Sequence, residues 1–166
     1  MIPDLWTTLL LTALPMYIAN STAVIFGGKT PIDFNRMWLD GKPIFGKGKT
    51  WKGLGMGVLI GTFSGGMIHY FFPEFVAFIA PNYTFFAGTL ALGALLGDAI
   101  GSFLKRRQGM ISGQPAHLLD QLDFVFGALA LSLLAAPANV TVFLLLIMIT
   151  PFMHLFFNRL AYFLGI

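Results

Sequence analysis

The sequence predicts an all-α integral membrane protein, a bundle of five transmembrane helices joined on one side by two polar, cytoplasmic loops. Three observations carry that expectation. Only 10% of the 166 residues are charged and 57% are hydrophobic, with a mean hydropathy of +0.79. A soluble domain carries about 25% charged residues, so this chain has too little polar surface to cover itself. Five stretches meet the roughly 17 to 25 mostly apolar residues that a bilayer crossing needs. The basic residues, lastly, fall only at alternate ends of those stretches. The length leaves room for one domain, 1–166, without a separate soluble module.

The first span is expected at Leu5–Phe26. Met1-Ile2-Pro3-Asp4 before it lacks the basic region of a signal peptide, so the run reads as retained. The second and third are expected at Leu54–Phe72 and Phe85–Leu104, the fourth at Leu118–Ala136 and the fifth at Val140–Leu164. Pro151 removes an internal hydrogen bond from the fifth and predicts a kink. There is no cysteine, which excludes disulfides and thiolate metal sites.

Orientation follows from the cations. Lys29, Arg36, Lys42, Lys47, Lys49 and Lys52 lie between the first two spans, Lys105, Arg106 and Arg107 follow the third, and Arg159 stands near the end of the fifth. The other connections, Pro73–Thr84 and Pro137–Asn139, hold no Lys or Arg. Positive charge stays on the cytoplasmic side, so the chain is expected in the cell membrane with its N-terminus outside and its C-terminus in the cytoplasm.

Glycines recur every fourth residue at Gly53, Gly57, Gly61 and Gly65, and again at Gly93, Gly97 and Gly101. Small residues at this spacing let helix backbones approach closely in lipid. Packing alone explains such ladders; a sharper reading is that they bring Asp98 close to the segment 46–53.

The first loop contains Gly27-Gly28-Lys29-Thr30-Pro31-Ile32-Asp33, then Asp40-Gly41-Lys42-Pro43, then Gly46-Lys47-Gly48-Lys49-Thr50-Trp51-Lys52-Gly53. Gly48-Lys49-Thr50 is P-loop-like, but Pro43 stands where that pattern needs its first glycine. What survives is local: glycine-rich amides and ammonium groups at a helix start make an anion site. Binding of anionic headgroups by a merely basic loop is the plainer alternative.

Three of the seven acidic residues, Asp98, Asp120 and Asp123, stand on apolar segments. A charge at membrane depth costs roughly 2.5 to 3.5 kcal/mol on insertion scales, so such a residue implies a function. Asp98, Ser102 and Lys105 share one helix face at i, i+4 and i+7, and Asp120 and Asp123 share another at i and i+3. Two facing helices can thus aim three carboxylates at one point. An all-oxygen set suits Mg²⁺ or Mn²⁺ rather than Zn²⁺. Salt bridging is the structural alternative: Asp98 to Lys105 or Arg106, and Asp120 to Arg107. Of the other polar residues, His69 reads as interfacial. Asn20, Ser21, Thr22, His154, Asn158 and Arg159 read as inner-end hydrogen-bonding groups, Asn20 being the nearest to a substrate contact.

Together, Ile18-Ala19-Asn20, Gly48-Lys49-Thr50-Trp51-Lys52-Gly53, Gly97-Asp98, Ser102-Phe103-Leu104-Lys105-Arg106 and Leu119-Asp120-Gln121-Leu122-Asp123 resemble the archaeal CDP-archaeol synthases, over essentially the whole chain. The second half also resembles the CDP-diacylglycerol synthases, although their Lys-Asp pair has no counterpart and Pro115-Ala116-His117 is only a shortened echo of their glycine-rich stretch. The resemblance implies transfer of CMP from CTP to an unsaturated isoprenoid ether lipid phosphate, giving CDP-archaeol and pyrophosphate. Its implied partners are CTP, that lipid phosphate and membrane lipids, with no nucleic acid and no particular number of protomers. Asp98, Asp120 and Asp123 would be metal ligands and, with Lys105, catalytic. Lys49, Thr50, Lys52, Ser102, Arg106 and Asn20 would bind the substrates' phosphates and nucleotide. Another membrane phosphotransferase, or a cation carrier using the three aspartates, remains the alternative; a carrier places its charges near mid-membrane.

Overall fold

The computed structural model describes residues 3–164, and within them all side chains except those at 117, 154–158 and 160–164. His117, His154 and Asn158, singled out above, therefore lie outside the described side chains. The described chain forms α1 (Leu5–Ile25), α2 (Trp51–Phe71), a single turn α3 (Pro73–Val76), α4 (Tyr83–Arg107), α5 (His117–Ser132) and α6 (Val140–Leu164). Among the described residues, α1, α2 and α4 are long and apolar enough to cross a membrane.

Caps place the helix starts. The Asp4 carboxylate accepts from Thr7 N at 2.7 Å, and Asn82 Oδ1 accepts from Phe85 N at 3.0 Å. Thr50 Oγ1 accepts from Gly53 N at 3.1 Å, so α2 begins three residues before the apolar run does. The fourth expected span is the one that shortens. Pro137 disfavours helical backbone at the residue before it, and 133–136 turn back on Leu131 and Ser132. The 16 residues of α5 span about 24 Å, short of the roughly 30 Å hydrocarbon core. In α6 the helix runs on through Pro151.

Helix α4 lies against α1, α2 and α5, and α6 packs on α5 and α1. Met16, Tyr83, Phe86, Leu90, Phe124, Val125, Val142 and Leu146 form the core between them. Lipid gives apolar side chains no reason to prefer one another, so close packing and hydrogen bonds hold such a bundle. Tyr83 Oη donates to the Leu11 carbonyl at 2.6 Å, and the Tyr17 and Thr150 hydroxyls meet at 2.7 Å.

The glycine ladders are the seams. A Cβ on Gly61 would stand 2.7 Å from Ala91 Cβ and 2.9 Å from Ala19 Cβ, which joins α2 to α4 and α1 at once. On α4, a Cβ at Gly97 would run into the Asp123 backbone carbonyl, and one at Gly101 into the Asp123 carboxylate. Packing explains the ladders, and it has the sharper consequence too: Asp98 reaches Lys49.

Candidate active site

The end of α1, the start of α2, the end of α4 and the start of α5 meet at one end of the bundle. The α1–α2 connection folds there as a compact, bridged structure rather than a tether. Pro31 pairs antiparallel with Thr50, and Met37 with Pro43. Ile32 N donates to the Lys49 carbonyl at 2.8 Å, and Trp38 N to the Lys42 carbonyl at 2.8 Å. Asp33, buried, ties the two halves together. Its carboxylate accepts from Phe45 N at 2.8 Å, Gly46 N at 3.0 Å and Asn35 N at 3.0 Å. Burial alone would raise the Asp33 carboxyl, but these amides outweigh it and hold it below its ordinary value of 3.8. Gly46 sits at φ +90°, a backbone that favours glycine.

From this loop Lys49 pairs with Asp98. Further along α4, Lys105 Nζ donates to Asp120 Oδ1 at 2.5 Å. Asp120 Oδ2 accepts from Ala116 N at 2.8 Å, closing the uncapped start of α5. Salt bridging is therefore present, but with partners other than the Lys105 or Arg106 expected for Asp98 and the Arg107 expected for Asp120. The remaining carboxylate is different. Asp123 Oδ1 accepts from Phe124 N at 2.6 Å, whereas its Oδ2 is buried without a hydrogen-bond partner. The Asp123 carboxylate lies against Gly101 of α4, three residues along the helix from Asp98.

The other expected site residues spread around this cluster. Thr50 is buried, and its hydroxyl oxygen accepts from Gly28 N at 3.0 Å as well as from Gly53 N. Lys52 is exposed on the first turn of α2, and Asn20 is half-buried near the end of α1. Ser102 is buried on α4 between Asp98 and Arg106. Arg106, 5% exposed, has an Nε without a partner and lines a cavity of about 780 Å³ between the loop and residues 109–112. Lys42, Lys47 and Asp33 line the same cavity, whose size is in the range of small-molecule sites. A smaller cavity of about 160 Å³ is lined by Gly48, Lys49, Thr50, Gly53 and Asp98.

Sequence reasoning missed Asp33 and Asp40 as parts of the site, and it expected Arg107 to meet Asp120 rather than Asp40. Arg107 donates to Asp40 Oδ1 at 2.5 Å and to the Pro43 carbonyl, while Lys42 Nζ donates to the Arg107 carbonyl at 3.1 Å. The only signal in the chain was acidic residues in a loop otherwise read for its cations.

The donors suit a hard cation. They are carboxylate oxygens, and Asp123 Oδ2 is an orphaned buried oxygen lying against Gly101, where a side chain would displace it. Among the described residues no three acidic or histidine side chains stand close enough to cage an ion by themselves. The expected ligands Asp98, Asp120 and Asp123 are therefore not assembled as a three-carboxylate site.

Fold and site together define a multi-pass membrane protein with an acidic and basic cluster at one end of its bundle. A family model described as CarS-like, CDP-archaeol synthase, matches residues 2–166, so the chain belongs to the CDP-archaeol synthase family. The CDP-archaeol synthase of Methanocaldococcus jannaschii is 43% identical over 163 residues, covering 92% of this chain and 90% of the relative. That of Pyrococcus abyssi is 46% identical over 153 residues, covering 90% and 88%. A solved structure of an intramembrane enzyme of archaeal membrane lipid biosynthesis superposes with a TM-score of 0.82 at 34% identity, covering 96% of this chain and 99% of that one.

Proposed function

We infer that the family's reaction, CTP-dependent formation of CDP-archaeol, takes place in this chain at the cluster of Asp98, Asp120 and Asp123 with Lys49 and Lys105. The activity comes with the family: the chain is a cytidylyltransferase of archaeal lipid biosynthesis. A phosphate oxygen of the lipid attacks the α-phosphorus of CTP, the bond from that phosphorus to the bridging oxygen breaks, and pyrophosphate leaves. The attacking group is already an anion and requires no general base. Catalysis then consists of positioning and charge neutralisation. The observation that carries the assignment is the unpartnered buried oxygen of Asp123 beside two lysine-paired carboxylates.

The large cavity is the proposed nucleotide site, with Lys42, Lys47 and Arg106 facing the phosphates. Lys49, Lys52, Ser102 and Asn20 would complete the phosphate and substrate contacts, and Thr50 would present Lys49 by capping α2. Mg²⁺, or Mn²⁺, would be held by Asp123 together with the CTP phosphates, with Asp98 and Asp120 contributing only once bound substrate draws them in. When bound it would neutralise charge on the CTP phosphates. The lipid's chains would stay in the membrane, and an apolar cavity of about 680 Å³ between α1 and α6, lined by Leu10, Leu14, Tyr17, Leu146 and Ile149, supports such a lateral route.

The proposal extends to topology. One cytidylyltransferase domain, 1–166, would cross the membrane five times, the turn at 133–136 extending the short α5 to complete the fourth crossing. Both polar loops and the C-terminus would lie in the cytoplasm, as the confinement of Lys and Arg suggests. Cysteine placed at Thr30 should then label only from the cytoplasm and at Asn82 only from outside; the opposite pattern would remove the cluster from its nucleotide supply. Purified protein in detergent should incorporate label from CTP into an unsaturated ether lipid phosphate only with a divalent cation. Incorporation unaffected by a chelator would end the metal assignment.

A further inference from the structure

The polar loop carries a surface that the reaction does not use. Its tip, at the Met37–Pro43 bridge, exposes Leu39 to 95% and Trp38 to 46%. A single exposed leucine is ordinary, but here Met37, Trp38 and Leu39 stand exposed in a row. The tip is not mobile padding: Gly41 N donates to the Trp38 carbonyl at 3.0 Å, and Arg107 and Lys42 lock the hairpin onto the end of α4.

The position of that lock names the medium. Leu92, Leu96 and Ile100 are exposed along one face of α4, away from the face that meets α5 through Gly93, Gly97 and Gly101. At i, i+4 and i+8 they form a stripe, and Phe103 at i+11 is its next member. Trp38 packs edge-on against Phe103, with ring centroids 5.4 Å apart. The Arg107 guanidinium stacks on the same ring, 4.8 Å from its centroid. The hairpin thus continues the apolar stripe of a helix long enough to cross a bilayer, at the level where its cations begin. Arg36, exposed, flanks it. Tryptophan beside Lys and Arg at the end of a span is the usual composition of the membrane–water boundary, and the positive flank complements anionic headgroups.

We propose that the Met37–Pro43 hairpin inserts Trp38 and Leu39 into the headgroup–acyl boundary of the leaflet on its own side, so that the bilayer holds the loop wall of the large cavity. Lipid is the committed occupant, because the stripe it prolongs is already lipid-facing. The proposal needs only that α4 spans the membrane and is read without any assay of CTP.

The test is the environment of Trp38 in vesicles. The full chain carrying Trp6→Phe and Trp51→Phe keeps Trp38 as its one tryptophan. It is reconstituted into phosphatidylcholine–phosphatidylglycerol vesicles whose acyl chains carry bromine near the headgroup or near the methyl end. Expected are blue-shifted emission, stronger quenching by the shallow bromines than by the deep ones, and little quenching by aqueous iodide; Leu39→Asp should weaken the shallow quenching. If the double substitution fails to insert, the difference between wild type and Trp38→Phe reads the same quantity. Quenching by iodide without bromine quenching would place the tip in water. Blue-shifted emission untouched by either quencher would place it against protein, a second copy included. Deep quenching exceeding shallow would place it in the hydrocarbon. Each of these three would overturn the proposal.

Discussion

The α4–α5 seam and the α1–α2 loop meet at the same charged cluster, and they are held by opposite means. Along the seam, backbones touch: Gly97 has no room even for a methyl group against the Asp123 carbonyl. The loop is held by polar side chains reaching backbone amides and carbonyls, chiefly Asp33 and Arg107. A glycine seam tolerates almost no substitution but is indifferent to pH and salt. A loop held by carboxylates and cations is adjustable and sensitive to both. The seam therefore suits the fixed carboxylates, and the loop suits the wall that must admit a nucleotide.

The largest effects belong to the carboxylates that bridge the two regions. Asp98→Asn, Asp120→Asn and Asp123→Asn should each lower kcat/KM by about 10²-fold or more, roughly 2.7 kcal/mol in activation free energy. Their stabilities should diverge. Asp98→Asn and Asp120→Asn leave Lys49 and Lys105 without their partners and should lower the Tm. Asp123→Asn relieves a buried carboxylate oxygen that lacks a hydrogen bond and should leave the Tm unchanged or raise it. Activity and Tm measured on the same three variants separate a substrate-binding Asp123 from a structural one.

On the seam side, Gly97→Val should destabilise by about 1–3 kcal/mol through overpacking, read as a drop in Tm or loss of folded protein. Gly55 on α2 has open space around it, so Gly55→Ala should stabilise by up to about 1 kcal/mol. If the two moved together, the seam would not be a packing feature.

For the loop, Asp33→Ala leaves the amides of Phe45 and Gly46 unpaired, at about 1–3 kcal/mol. It should raise the KM for CTP more than it lowers kcat. Because the Asp33 carboxyl is lower in the folded chain than its ordinary value, its contribution is complete above that value. It is lost as the pH falls through the folded one, so the wild-type loop should loosen only below about pH 4. Amide hydrogen exchange at Phe45 and Gly46 reads this directly, and loosening near neutral pH would be the wrong sign. The smallest effect is expected for Asp40→Asn, under about 1 kcal/mol, since the Asp40–Arg107 pair is partly exposed. Arg107→Gln should exceed it, because it also removes the bonds to the loop carbonyls.

The helical membrane architecture was legible because its causes are local. Apolar run length is a property of each segment by itself. The motif around Asp98, Asp120 and Asp123 was legible because charge in an apolar span is conspicuous. The start of α2 was misplaced by three residues because Trp51-Lys52-Gly53 look polar while Thr50 caps them. The end of α5 was set too late because the unbroken apolar run Leu133-Leu134-Ala135-Ala136 hid the turn before Pro137.

Composition and the spacing of Gly, Asp and Lys by themselves determined the membrane class and the faces of the helices, and the quoted motifs carried the resemblance to the family. Which lysine meets which aspartate was decided only by tertiary structure, since Lys49–Asp98 and Lys105–Asp120 join residues 49 and 15 positions apart. The fold of the first loop was decided there as well. Asp33 and Arg107 act on backbone groups, and almost every residue carries both an amide and a carbonyl, so no pattern of side chains announces which of them a carboxylate or guanidinium will reach.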